Sequence, residues 1–163
     1  MLVNLLKLHF GWHLARIKCR TSIIVALFKV KTVTLTEVAT AFPGTAEMES
    51  PDKRLQRFLK HVEIKPSLIA TFVVAFLPYD TYTLSRDRTK GMLGCFPIHF
   101  LVLSVVHAGI AFPIFWRFLH KKGHANTKER IELIEKFISV CGVEKIDRLV
   151  GDRELIGETW FAY

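Results

Sequence analysis

Apolar residues recur along this chain in two rhythms, and the change between them falls near residues 77–80. Before that point the spacing is helical. Residues 2–20 and 21–31 read as two apolar helices, the second with Ile23, Ile24, Ala26, Leu27 and Val30 fit for burial. Thr34 and Glu37 have capping-box spacing, and Leu35, Val38, Ala39 and Phe42 form a stripe that Pro43-Gly44 ends. Ser50 can cap a helix that opens at Pro51. Its apolar face holds Leu55, Phe58, Leu59 and Val62, and Lys53, Arg54, Arg57 and Lys60 take the other. Lys65-Pro66 closes it, and 67–77 predicts one more apolar helix, ended by Pro78.

Beyond the change the period is nearer two. Residues 79–85 alternate and are rich in Tyr and Thr, as strands are. Residues 95–106 and 109–116 predict two buried strands turning at Ala108-Gly109. Asn126 and Glu129 are spaced to cap a helix with Ile131, Ile134, Ile138 and Cys141 on one face, Leu133 and Phe137 alongside, and Gly142 at its end. Residues 146–150 make a short strand that runs straight into Gly151-Asp152, and 158–163 opens a further helix. The expected class is α+β, with a helical region over 1–77 and a mixed α/β domain over 78–163.

Composition adjusts this picture at three points. Half of the 163 residues are hydrophobic, enough for a sizeable core. The net charge of +8 is concentrated early, since Lys7, Arg16, Lys18, Arg20, Lys29 and Lys31 all precede the first acid, Glu37. A basic front half favours a polyanionic partner, nucleic acid or an anionic membrane. The three cysteines, Cys19, Cys95 and Cys141, are widely spaced without a CxxC, which argues against a disulfide framework or a zinc site and suits a reducing cytoplasm.

Residues 98–116 contain no Asp, Glu, Lys or Arg, and about 20 such residues would cross a bilayer. His99, Ser104, His107, Gly109 and Pro113 interrupt the run, so the hairpin is preferred and a small basic membrane protein is the lesser alternative. His9/His13 and His120/His124 are four apart, but neither pair has an acid between as a zinc-binding helix would.

The candidate chemistry lies in two aspartates in matching contexts, Asp87-Arg88-Thr89 and Asp152-Arg153-Glu154. Each is expected where a strand runs out. Three strands, a helix and a fourth strand, with an acid after the first and the fourth, form the opening of a ribonuclease-H-like fold. Its first and fourth strands are neighbours, so Asp87 and Asp152 would share a hard divalent cation able to polarise a phosphodiester. The basic face of 51–61, behind a shorter helix over 35–42, outlines a helix-turn-helix-like pair. Lys53, Arg54, Arg57 and Lys60 would then contact DNA phosphates.

Longer blocks sharpen this. Asp87-Arg88-Thr89, the run from Ile98 to Val106, and Gly109-Ile110-Ala111-Phe112-Pro113 resemble the first catalytic block of the insertion-sequence-four family of bacterial DDE transposases. Lys121-Lys122-Gly123 and Glu135-Lys136-Phe137 continue the likeness. Gly151-Asp152-Arg153-Glu154-Leu155-Ile156-Gly157 with Trp160-Phe161-Ala162-Tyr163 resembles the second block, and Lys53-Arg54-Leu55-Gln56-Arg57-Phe58 fits upstream. The resemblance implies Mg2+- or Mn2+-dependent cleavage and transfer of DNA strands, with Asp87 and Asp152 as the first two acids. It also implies transposon-end DNA as partner, a homo-oligomer as an option, no small-molecule substrate, and a cytoplasmic, nucleoid-associated location.

Three departures stand beside it. Lys90-Gly91 replaces the family's Asn-Trp, Arg86 replaces an apolar residue before the first acid, and the third acid, a Glu in a Tyr-Arg-Glu signature, has no counterpart by Tyr163. Glu154 and Glu158 do not fill that place. The resemblance thus predicts a truncated copy with impaired catalysis, and a non-catalytic DNA-binding remnant is the alternative.

Overall fold

The computed structural model describes residues 2–42, 50–61, 63, 65–78, 80–93, 95–119 and 126–151. It is α+β, with six α-helices and one four-stranded mixed sheet among those residues. The chain divides into two compact units, Met1–Ile64 and Lys65–Tyr163.

The first unit holds α1 (Leu2–His9), α2 (Leu14–Val30), α3 (Leu35–Thr40) and α4 (Pro51–His61). The long apolar stretch breaks at residues 10–13, not at 20/21 as its pattern suggests. Trp12 N–H turns back to the Phe10 carbonyl at 2.7 Å, and the His13 ring accepts from Ala15 N–H at 3.4 Å as the cap of α2. Arg20 fixes this break, its guanidinium lying 4.3 Å from the Phe10 ring centre and 4.9 Å from that of Trp12. Thr34 stands at the start of α3, but no side-chain capping bond forms there. Its hydroxyl meets that of Thr32 at 3.0 Å instead. Cys19, Ala26, Val38, Phe42, Leu55 and Phe58 close a core between α2, α3 and α4. Leu59, expected on the same face, is 52% exposed.

The second unit opens with α5 (Pro66–Val74), followed by β1 (Tyr82–Leu93), β2 (Phe96–His107), β3 (Ile110–Phe118), α6 (Thr127–Cys141) and β4 (Ile146–Gly151). The division between units therefore comes before α5, whereas the sequence placed it after. Ala70 is fully buried in the sheet's core, with Val73, Val74 and Leu77 packed against it. Apolar matching to the sheet, not helical type, decides membership.

Strand order is β3-β2-β1-β4. β1, β2 and β3 are antiparallel neighbours, and α6 carries the chain across so that β4 lies parallel to β1. At the β2–β3 turn both Ala108 (φ 50°) and Gly109 (φ 78°) lie in the left-handed region, the signature of a tight two-residue hairpin. The apolar run 98–116 is therefore two strands and a turn. Among the described residues no helix is long and apolar enough to cross a membrane.

One face of the sheet is packed. Leu84, Leu103, Val105, Ile114, Leu133 and Phe137 are all fully buried there, each such side chain stabilising the unit by about 1.5–3 kcal/mol. Between Leu103 and Ser104 the pairing shifts by one on β3, so that Ser104 faces Pro113 and both Ile114 and Phe115 are buried. Such a bulge re-aims side chains, and Pro113 is tolerated because β3 is an edge strand. α6 carries the full capping box, with Asn126 and Glu129 exchanging bonds of 2.8 Å, and it ends at Gly142 with φ 93°. Its buried face is Arg130, Leu133, Ile134 and Phe137, with Ile138 and Cys141 partly buried behind.

Candidate functional site

Strand alternation sorts β1 into two sets. Tyr82, Leu84 and Arg86 are buried, while Thr83, Ser85, Asp87 and Thr89 point to the opposite face. Asp87 is exposed, and its Oδ1 accepts the Arg88 backbone N–H at 2.7 Å. It does not end its strand. β1 and β2 stay paired from Thr83 with Val106 through Leu93 with Phe96, so Asp87, opposite Val102, lies mid-strand.

β4 reaches this neighbourhood in the parallel direction. Its last pair joins Gly151 to Arg86, so the residues immediately before the two sequence-marked acids are side by side. Asp152 lies outside the described residues, as do Glu154, Glu158, His120 and His124.

A cavity of about 450 Å³ lies on the opposite face of the sheet, and Asp87, Ser85, Arg86, Thr89 and Ser104 line it. Val102 and Pro113 border it from β2 and β3, and Val150 and Gly151 from β4. Ser104 is 7% exposed, yet its neighbours Leu103 and Val105 face the packed side, so its hydroxyl is directed to this cavity. Ser85 and Ser104 are direct cross-strand partners. From sequence, Ser104 counts only as a break in the apolar run, and neither hydroxyl has a chemical role. The signal was present in Leu103-Ser104-Val105, where one polar residue interrupts an apolar run in a strand.

Under the sheet, Arg86 is 2% exposed and Arg130, from the first turn of α6, is 8% exposed. Burial, and secondly the nearby Arg130 charge, lower the Arg86 guanidinium to about 10. This is the place where the sequence departs from an apolar residue, and the cost is visible in that shift.

On α4 all four cations, Lys53, Arg54, Arg57 and Lys60, are exposed, with Leu55 and Phe58 buried on the other side. They are not equivalent. The Arg54 guanidinium lies 5.9 Å from the Phe42 ring centre and hydrogen-bonds the Cys19 thiol, which burial nonetheless pushes up. Arg54 thus belongs partly to the packing of its own unit. The segment between α3 and α4, residues 43–49, lies outside the described residues.

His13 is engaged as the α2 cap. Among the described residues no three His, Cys, Asp or Glu side chains gather as metal ligands would. Comparison with protein-family models, curated proteins and solved structures finds no match to this chain.

Proposed function

We propose that this chain is a DNA-binding protein of the DDE transposase type. In this reading α4 grips the phosphate backbone, and the sheet unit belongs to the ribonuclease-H-like class and brings an acidic site to a phosphodiester. The observation that carries the reading is the parallel pairing of β1 with β4, which sets Arg86, the residue before Asp87, beside Gly151. The order β3-β2-β1-β4 with a helical crossover into β4 supports the same class.

The donor chemistry around Asp87 fits a hard divalent cation. The Asp87 carboxylate and the Thr89 hydroxyl both offer oxygen, and no soft sulfur lines the cavity. Bound there, Mg2+ or Mn2+ would supply charge neutralisation for a phosphodiester under attack. Asp87 contributes a ligand oxygen, and the Arg88 N–H holds one of its two oxygens in place. The partner is DNA, with the excess of cations in the first unit steering it.

The test is a Mn2+ titration of the full chain followed by paramagnetic line broadening, with a mobility-shift assay on duplex DNA. Wild type binds both. Asp87→Asn and Asp152→Asn each weaken Mn2+ binding while leaving the DNA shift in metal-free buffer unchanged. Mn2+ binding indifferent to both substitutions, or no DNA shift at low salt, overturns the reading.

A further inference from the structure

The cavity beside Asp87 carries more than a carboxylate. Ser104 is 7% exposed, and strand alternation directs its hydroxyl to this cavity. The cavity measures about 450 Å³, within the range of small-molecule sites. Ser85 stands directly across from it in the β1–β2 register, close enough for two hydroxyls to act on one group. Asp87 follows Ser85 by two residues on the same face, about 6.6 Å along the strand.

That spacing separates two functions. A carboxylate alone repels a phosphate, and hydroxyl donors do not. One phosphodiester spans the gap if one of its non-bridging oxygens faces the hydroxyl pair and the other faces the Asp87 side. Resting on the cation reading of Asp87 given above, we infer that Ser85 and Ser104 form a seat for a single nucleic-acid phosphodiester. Both hydroxyls donate to the non-bridging oxygen farther from Asp87. They are positioning residues, and they set which phosphate along a strand lies over the acid. Val102 and Pro113 make the floor apolar, and the β3 bulge directs Pro113 to it beside Ser104.

The experiment uses the full chain, 15N-labelled, with a thymidine dinucleotide as a one-phosphodiester probe in Mg2+. In wild type the probe shifts the Ser85 and Ser104 amides. The double variant Ser85→Ala/Ser104→Ala binds it about tenfold more weakly, the loss expected for two hydroxyl bonds to an anion. The same variant keeps the Mg2+-induced shift at Asp87. Wild-type amides that do not move, or a double variant that binds the probe as wild type does, overturns the seat. The wild-type arm stands whether or not the variant folds. A probe that binds Ser85 and Ser104 with no Mg2+ response at Asp87 keeps the seat and sinks the cation reading instead. Glycerophosphoglycerol, a lipid-headgroup phosphodiester without bases, binds more weakly, and equal binding overturns the assignment to nucleic acid.

Discussion

Arg86 occupies a buried strand position where Tyr82 and Leu84 precede it on the same face, and it carries a charge into that layer. Burial and the adjacent Arg130 charge both disfavour the protonated guanidinium, which is why its value falls to about 10. A guanidinium held below its ordinary range costs stability while it stays protonated, and an apolar side chain of similar length carries no such cost. Arg86→Met is therefore expected to raise Tm at pH 7, by about 4–8 °C for each kcal/mol gained in a unit of this size. The sign of the pH dependence follows from linkage. The folded value lies below the ordinary guanidinium range, so the penalty is complete below pH about 10 and fades as pH rises toward the unfolded value. The Tm advantage of the variant should shrink over that interval. Thermal unfolding of both proteins across the range checks it, and a lower Tm for the variant at pH 7 would mean the guanidinium is a net asset.

Among the elements, α4 divides its cations by what surrounds them. Lys53 and Lys60 extend from the exposed face, whereas Arg54 also stacks toward Phe42 and bonds Cys19. Lys53→Ala/Lys60→Ala should lower the magnitude of the log–log salt slope of DNA binding by about 1 to 2, without touching stability. Arg54→Ala should weaken binding and also speed labelling of Cys19. If the lysine pair leaves the slope unchanged, α4 does not lie on the phosphates. The contrast also marks what was legible in the sequence. Periodicity sufficed for α4, for the 108–109 hairpin and for the Asn126 capping box, because each is decided by neighbours within a few residues. It failed where distant partners decide. The length of β1 depends on the antiparallel pairing that β2 offers as far as Leu93 with Phe96, so the strand continues through Asp87, where alternation alone had ended it. The α1–α2 break at residues 10–13 depends on Arg20 reaching Phe10 and Trp12 from the next helix. Likewise the Ser85–Ser104 pair exists only once β1 and β2 are in register.

In the whole molecule, two cores of separate membership make two units, and the three cysteines report on them independently. Cys19 is buried in the first core, and Cys141 is half-buried against the second. Burial pushes both thiols up, with Arg54 opposing at Cys19 and Lys145 at Cys141, while Cys95 is exposed. A thiol reagent at neutral pH should therefore label Cys95 first and Cys19 last. Leu103→Ala removes a fully buried side chain from the sheet core, at a cost of about 2–5 kcal/mol. The opening of that unit then becomes more frequent, and Cys141 labelling should accelerate. No residue of the first core belongs to the same cluster, so the Cys19 rate should hold. Labelling read by mass spectrometry resolves the sites in one experiment. A parallel rise at Cys19 and Cys141 would mean that both cores open as one cooperative body, sharing a single folding equilibrium.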